Sequence, residues 1–370
     1  MTVPPPDSVV PADAPVTGSA PLRAPRHVPV AAVTRGGIAE SVHYGSVAVV
    51  DRSGRLLCAA GDPWAPTMTR CSLKPFQAIP FMAAGGVERF GLSTEQVALL
   101  CASHSGEPRH VAAAADILAR AGNRVEDLQC GTHAPGFYEQ RGEVPPPPPY
   151  SPLAHNCSGK HGGMLAYCTL CGLPKANYLD GDHPLQRAIR TAVARCTSTP
   201  EGELVVGTDG CSAPNYAMPL ARLAGAYARL AARDDDPWYG AAPRRLADAM
   251  TRHPEMVSGE GRSDLVLMRA GRGDWVTKIG AEGVQAMGFR EAGIGVAIKI
   301  GDGGKRALAP VIAAVLEQLG RLDGRQRTEL DAWFAPEVRN YRGRITGRIQ
   351  SMVVLDKNAS GLPVPASARE

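Results

Sequence analysis

Residues 41–61 alternate apolar and polar positions on either side of Ser53-Gly54, the period-two pattern of two strands joined by a tight turn. A β-hairpin is predicted there. The period then lengthens. Pro75 suits the first turn of a helix and Gly85-Gly86 end it, which puts Cys71 and Ser72 at that helix's N-terminus. Ser93, with Gln96 three positions later, forms a capping box that opens a second helix toward Ala102. The polar stretch from Ser103 to Glu107 interrupts it, and Pro108 opens a third helix that runs to Gly122. Residues 131–155 show no period and carry prolines at every position from 145 to 149, so a long loop braced by its proline run is expected. The segment His155–Gly163 leads into a helix that ends near Gly172. Further helices are predicted at about 184–196, 215–232, 243–251, 262–270, 305–319 and 326–334, and short strands at 204–207, 275–280, 295–301 and 348–354.

Strands near both chain ends with helices massed between them predict an α+β fold, not repeated βαβ units. Residues 1–29 are rich in Pro, Ala and Val and are expected to form a disordered tail. Residues 30–370 have no repeat and no composition break, and a single catalytic domain is expected there.

Composition narrows the function classes. A net charge of +4 comes from scattered arginines, with no basic block of the kind that holds nucleic acid. The longest apolar runs fall short of the ~20 residues a membrane span needs. Prolines in the tail oppose a secretory signal, so a cytoplasmic protein is expected. Nine scattered cysteines, an odd number, argue for free thiols or metal ligands over a disulfide framework.

Lysine is scarce, at 7 of 40 basic residues, so those retained among Gly, Ser and Cys invite a chemical reading: Lys74, Lys160 and Lys278. Cys71 and Lys74 are three positions apart at a helix start, where a lysine can take a proton from a thiol or hydroxyl and the helix terminus favours negative charge. Ser103-His104-Ser105-Gly106-Glu107 crowds polar groups between two apolar helices, and helix capping needs only one of them. His155, Cys157, Lys160 and His161, with Asp209 and Cys211 some fifty residues on, supply the N/S donors that zinc prefers. Cys168 and Cys171 lie within an apolar helical stretch and read as packing. Lys278, on a strand that enters a glycine turn, is a candidate second base.

Taken together, SLKPFQ (72–77), SHSGE (103–107), HNCSGKH (155–161), DGC-x-x-PN (209–215) and K-x-G-A-E-G (278–283) resemble, in this order, the rhizobial-type, thermolabile L-asparaginases, also labelled asparaginase II. The resemblance runs from about Thr34 into the C-terminal part. It implies a fold like that of serine β-lactamases and glutaminases, an antiparallel sheet with a helical subdomain, usually as a homodimer. It implies hydrolysis of L-asparagine to L-aspartate and ammonia by two serine–lysine pairs. By position these would be residue 71 with Lys74, and Ser103 with Lys278. It further implies a zinc ion on Cys157, Lys160 and Cys211, with Asp209 adjacent, and puts Arg70, His161 and Asp209 near the substrate. This sequence departs from the pattern where the family's first catalytic serine falls on Cys71. Cys71, Ser72 and Ser103 are each open as nucleophile. Two rival readings are a β-lactamase-like hydrolase, which would require S-x-x-K in place of this C-x-x-K, and a non-catalytic zinc-binding or redox-sensing protein.

Overall fold

The computed structural model describes residues 24–357. Eight strands form the main sheet: β1 (Val28–Arg35), β2 (Ile38–Asp51), β3 (Leu56–Ala60), β7 (Trp275–Gly280), β8 (Val284–Phe289), β9 (Ile294–Ile300), β10 (Glu337–Arg339) and β11 (Ile345–Ser351). They follow the order β10-β11-β1-β2-β9-β8-β7, with β3 also paired to β2, and every pairing is antiparallel. A second, three-stranded antiparallel sheet orders β4 (Pro66–Met68), β6 (Pro214–Pro219) and β5 (Val205–Thr208) as β4-β6-β5. The helices between β4 and β7 form a helical region against one face of the main sheet. The fold class is α+β.

Strand alternation divides the sheet between two cores. On β2, Val47 and Val49 face one core while Ala48 and Val50 face the other; on β9, Val296 and Ile298 oppose Ala297 in the same way. The first face packs toward the Leu308–Gln318 helix, and the second toward the Leu220–Leu230 helix. Gly288 and Gly295, opposite one another on β8 and β9, let that second helix lie directly on the strands. A Cβ at Gly295 would come within 1.9 Å of the Ala224 carbonyl oxygen, and one at Gly288 within 2.1 Å of that of Tyr227. Gly295→Ala must lift the helix and is expected to destabilise the protein by about 3 kcal/mol. Calorimetry checks this, and an unchanged unfolding midpoint would mean that the contact yields freely.

Several boundaries differ from those read in the sequence. The expected 215–232 helix is in fact β6 followed by the Leu220–Leu230 helix, because Pro219 at their junction lacks the N–H of a helix interior. Strand β8 escaped the pattern because it is buried on both faces and shows no polar alternation. The 131–155 loop contains a short helix, Gly136–Arg141, and a 3₁₀ turn, Pro152–Ala154. Residues 1–23 of the expected tail lie outside the described residues, and Val28 and Pro29 already belong to β1. No helix among the described residues is long and apolar enough to cross a membrane.

The site lies where the β7 edge of the main sheet meets the helical region. The 3₁₀ turn Arg70–Leu73 packs against β7 and β8 and hands the chain to the Lys74–Ala83 helix.

Candidate functional site

Arg70 holds a left-handed backbone conformation (φ 51°), a strained one for a side chain that is not glycine. Asn215, on β6, clamps it from both sides: the Arg70 N–H donates to Asn215 Oδ1 (2.9 Å) and Asn215 Nδ2 donates to the Arg70 carbonyl (3.0 Å). The Arg70 guanidinium pairs with Asp209 (Nε–Oδ1 2.9 Å) and comes within 4.0 Å of Glu282 Oε1. This clamp fixes the direction of the next residue, Cys71, which is half-buried and reachable.

Cys71 stands among cations and hydroxyls. The neighbouring Cys157 thiol, then the ammonium groups of Lys74 and Lys278 and the Ser103 hydroxyl, hold its thiol well below the usual range against the opposing effect of burial. Ser72 faces away. Its hydroxyl is fully buried and donates to the Thr69 carbonyl (2.6 Å), inside the same turn.

Lys74 is buried and donates to the Ala102 carbonyl, to Ser103 Oγ (3.0 Å) and to the Asn156 carbonyl (3.3 Å). Burial disfavours its charge, but the sulfurs of Cys157 and Cys71 outweigh this and raise its pKa. Lys278 behaves oppositely. It is fully buried on β7, bonded to Asp264 Oδ2 (3.3 Å) and to the Ile279 carbonyl (2.9 Å), and burial lowers its pKa despite Asp264 and Cys71. The expected groups thus come together, but not in the expected pairs: Lys74 bonds to the hydroxyl of Ser103, and Lys278 bonds to an aspartate.

The rest of the SHSGE segment holds the site in place. His104 donates from Nε2 to Ser158 Oγ (2.9 Å), and Ser105 donates to the Ser258 carbonyl (2.8 Å). Glu107 caps the Pro108–Arg120 helix and accepts from the Glu260 N–H (3.1 Å). Burial keeps His104 neutral, its pKa well below the usual imidazole value.

Behind Cys71, Cys157 lies between the sulfurs of Cys71 and Cys211 and interacts with both, which raises its own pKa and lowers theirs. Lys160 donates to Cys211 Sγ (3.0 Å). His161 is fully buried, with Nδ1 2.6 Å from the Tyr178 hydroxyl. Its Nε2 has no hydrogen-bond partner within normal reach and feels the Cys211 thiol at longer range. Burial first, then Lys160, lowers its pKa to about 4, so the ring is neutral at neutral pH.

The family model of L-asparaginase II matches residues 31–351. The chain belongs to the L-asparaginase II family. These are asparaginase-type amidohydrolases, and a small-molecule substrate goes with the family. No curated protein matches the chain. Among solved structures, it is similar to a β-lactamase from Mycobacterium bovis (16% identity, 74% of this chain and 94% of that one, TM-score 0.35). It is similar to a putative β-lactamase from Bacteroides dorei DSM 17855 (12% identity, 74% and 93%, TM-score 0.40). A third similar structure is that of Mglu in its native form (16% identity, 76% and 65%, TM-score 0.34).

Within this L-asparaginase II chain, no group of three or more His, Cys, Asp or Glu among the described residues converges to hold a metal. The donor set that does gather is two thiols and a lysine nitrogen, with the unpartnered His161 Nε2 beside it. Soft sulfur and nitrogen donors of this kind fit zinc. Cys168 is buried as packing requires, whereas Cys171 is exposed.

Two residues with a structural claim on the site were not singled out in the sequence. Asn215 stood in a motif without a role. Asp264 carried no reading of its own; its one signal was a carboxylate heading an apolar helix, Ser263–Gly271.

Proposed function

We propose that this L-asparaginase II hydrolyses the side-chain amide of L-asparagine to L-aspartate and ammonia through an acyl-enzyme on Cys71. The observation that carries this reading is the thiol of the half-buried Cys71 ringed by two buried lysines and a serine hydroxyl. The Cys71 thiolate attacks the amide carbon, giving a tetrahedral oxyanion near the Lys74 ammonium. Collapse breaks the C–N bond, and Lys74 delivers the proton that lets ammonia leave, with the Ser103 hydroxyl as relay. A water then attacks the thioester, a lysine takes its proton, and aspartate departs as the Cys71 thiolate returns.

Arg70 and Asp209, joined on the open side of Cys71, suit the α-carboxylate and α-ammonium of the substrate. His161, buried against Tyr178, would act on the substrate only through the thiol cluster. Zinc, held by Cys157, Lys160 and Cys211, would supply fixed positive charge beside the sulfurs. The protein is further proposed to work as a homodimer in the cytoplasm; all nine cysteines are free, as a reducing compartment would keep them.

The succession of sulfurs Cys71, Cys157 and Cys211 favours one second reading, a non-catalytic zinc or redox protein. The test is ammonia release from L-asparagine and L-glutamine by the purified full chain, before and after zinc chelation. Asparagine-selective release that falls on chelation is expected. Full release after chelation would remove zinc from the account, and no release from either amide by folded, zinc-loaded protein would favour the second reading.

A further inference from the structure

The two buried lysines differ in what surrounds them. Lys74 has three acceptors, the Ala102 and Asn156 carbonyls and Ser103 Oγ, one for each N–H of an ammonium. Lys278 has two, Asp264 Oδ2 and the Ile279 carbonyl. The two N–H groups of a neutral amine satisfy both and leave one position on Nζ for the Cys71 side. Asp264 is itself immobile. Its Oδ1 accepts from Thr277 Oγ1 (3.1 Å) and Gln285 Nε2 (3.2 Å), and its Oδ2 from the Ile279 N–H (3.0 Å) as well as from Lys278. Thr277 and Ile279 flank Lys278 on β7, and Gln285 lies opposite Ile279 on β8, so the sheet register builds this cradle. A fully buried carboxylate with four donors is costly to desolvate, and its ammonium or amine partner is Lys278.

We infer that Asp264 is a positioning residue that aims the free position of Lys278 Nζ at the acyl group on Cys71, making Lys278 the base for hydrolytic water while Lys74 serves as the acid. The inference rests on the proposed amidohydrolase reading. In this division Lys278 takes the proton from water as the C–O bond forms and the C–S bond breaks. Lys74, having protonated the departing ammonia, recovers a proton from the product carboxyl, and Lys278 releases its own to solvent. The charged and titratable groups facing Lys278 are Asp264, Cys71, Lys74, Arg262 and Cys101. Tyr227 faces Asp264 from the far side.

The experiment is Asp264→Asn, which keeps the shape and removes the charge. Losing a neighbouring carboxylate favours the amine, so Lys278 should titrate at lower pH, and the acidic limb of kcat, which reports deacylation, should move down by about one unit. Loss of aim slows deacylation alone, so kcat should fall about tenfold or more and KM should fall with it, leaving kcat/KM nearly unchanged. ¹⁵N-lysine labelling reads Lys278 directly, its Nζ signal being assigned by its loss in Lys278→Met, and seven lysines keep the spectrum simple. An unmoved Lys278 titration, or an unmoved acidic limb with kcat falling only alongside thermal stability, would overturn the inference. Should Asp264→Asn not fold, Thr277→Val removes one of the four donors at constant shape and is expected to lower kcat and KM together by a few-fold; unchanged kcat there would also overturn it. Wild-type protein that releases no ammonia, yet shows the Lys278 shift in Asp264→Asn, would sink the amidohydrolase reading and leave the Asp264–Lys278 coupling standing.

Discussion

Cys71→Ala is expected to lower asparagine hydrolysis by roughly 10³-fold or more while leaving the thermal midpoint nearly unchanged. Cys71 combines access, a lowered pKa and nearby proton carriers. Ser72 cannot stand in, because its buried hydroxyl is turned to the Thr69 carbonyl. Ser103→Ala removes a relay and leaves the attacking sulfur, so a smaller loss is expected, on the order of 10- to 100-fold. Steady-state ammonia release by both variants decides the matter: an inert Ser103→Ala beside an active Cys71→Ala would move the nucleophile to Ser103.

Lys74→Met is the second large effect. Methionine fills the lysine's volume but offers no donor to the Ala102 and Asn156 carbonyls or to Ser103 Oγ. Unsatisfied buried acceptors and the loss of a compensating cation beside two sulfurs are expected to cost about 2–4 kcal/mol of stability. Loss of the acid that protonates ammonia should lower kcat about 10³-fold. Lys74→Arg should not rescue it. Its planar fork does not fit three converging acceptors, and it does not give up a proton near neutral pH. Turnover and denaturant unfolding check both parts. Near-normal turnover in Lys74→Met would leave Lys278 as the lysine that matters.

Some of the site was legible because it depends on local spacing. Pro75 and Gly85-Gly86 bracketed the helix that carries Lys74, and Ser93 with Gln96 forms the capping box of the Thr94–Leu100 helix, which ends shortly before Ser103. The scarcity of lysine pointed to Lys74, Lys160 and Lys278, all three of which are buried around the Cys71, Cys157 and Cys211 sulfurs. What escaped was anything defined by a partner far along the chain. The bond between Asp264 and Lys278 depends on a helix meeting β7, and the Asn215 clamp on Arg70 joins residues 145 positions apart. Strand β8 escaped for a related reason: burial on both faces removes the alternation by which strands are recognised.

By itself the sequence determined the α+β class and most helix starts, and it singled out the residues proposed to carry the chemistry, because capping, proline placement and residue scarcity act within a few positions. Only the tertiary structure decided which groups touch: Ser103 with Lys74, Lys278 with Asp264, and Cys157 between two sulfurs. Those contacts come from sheet register and helix packing, which bring distant segments within hydrogen-bonding range and, by excluding water, let each neighbour set the other's charge.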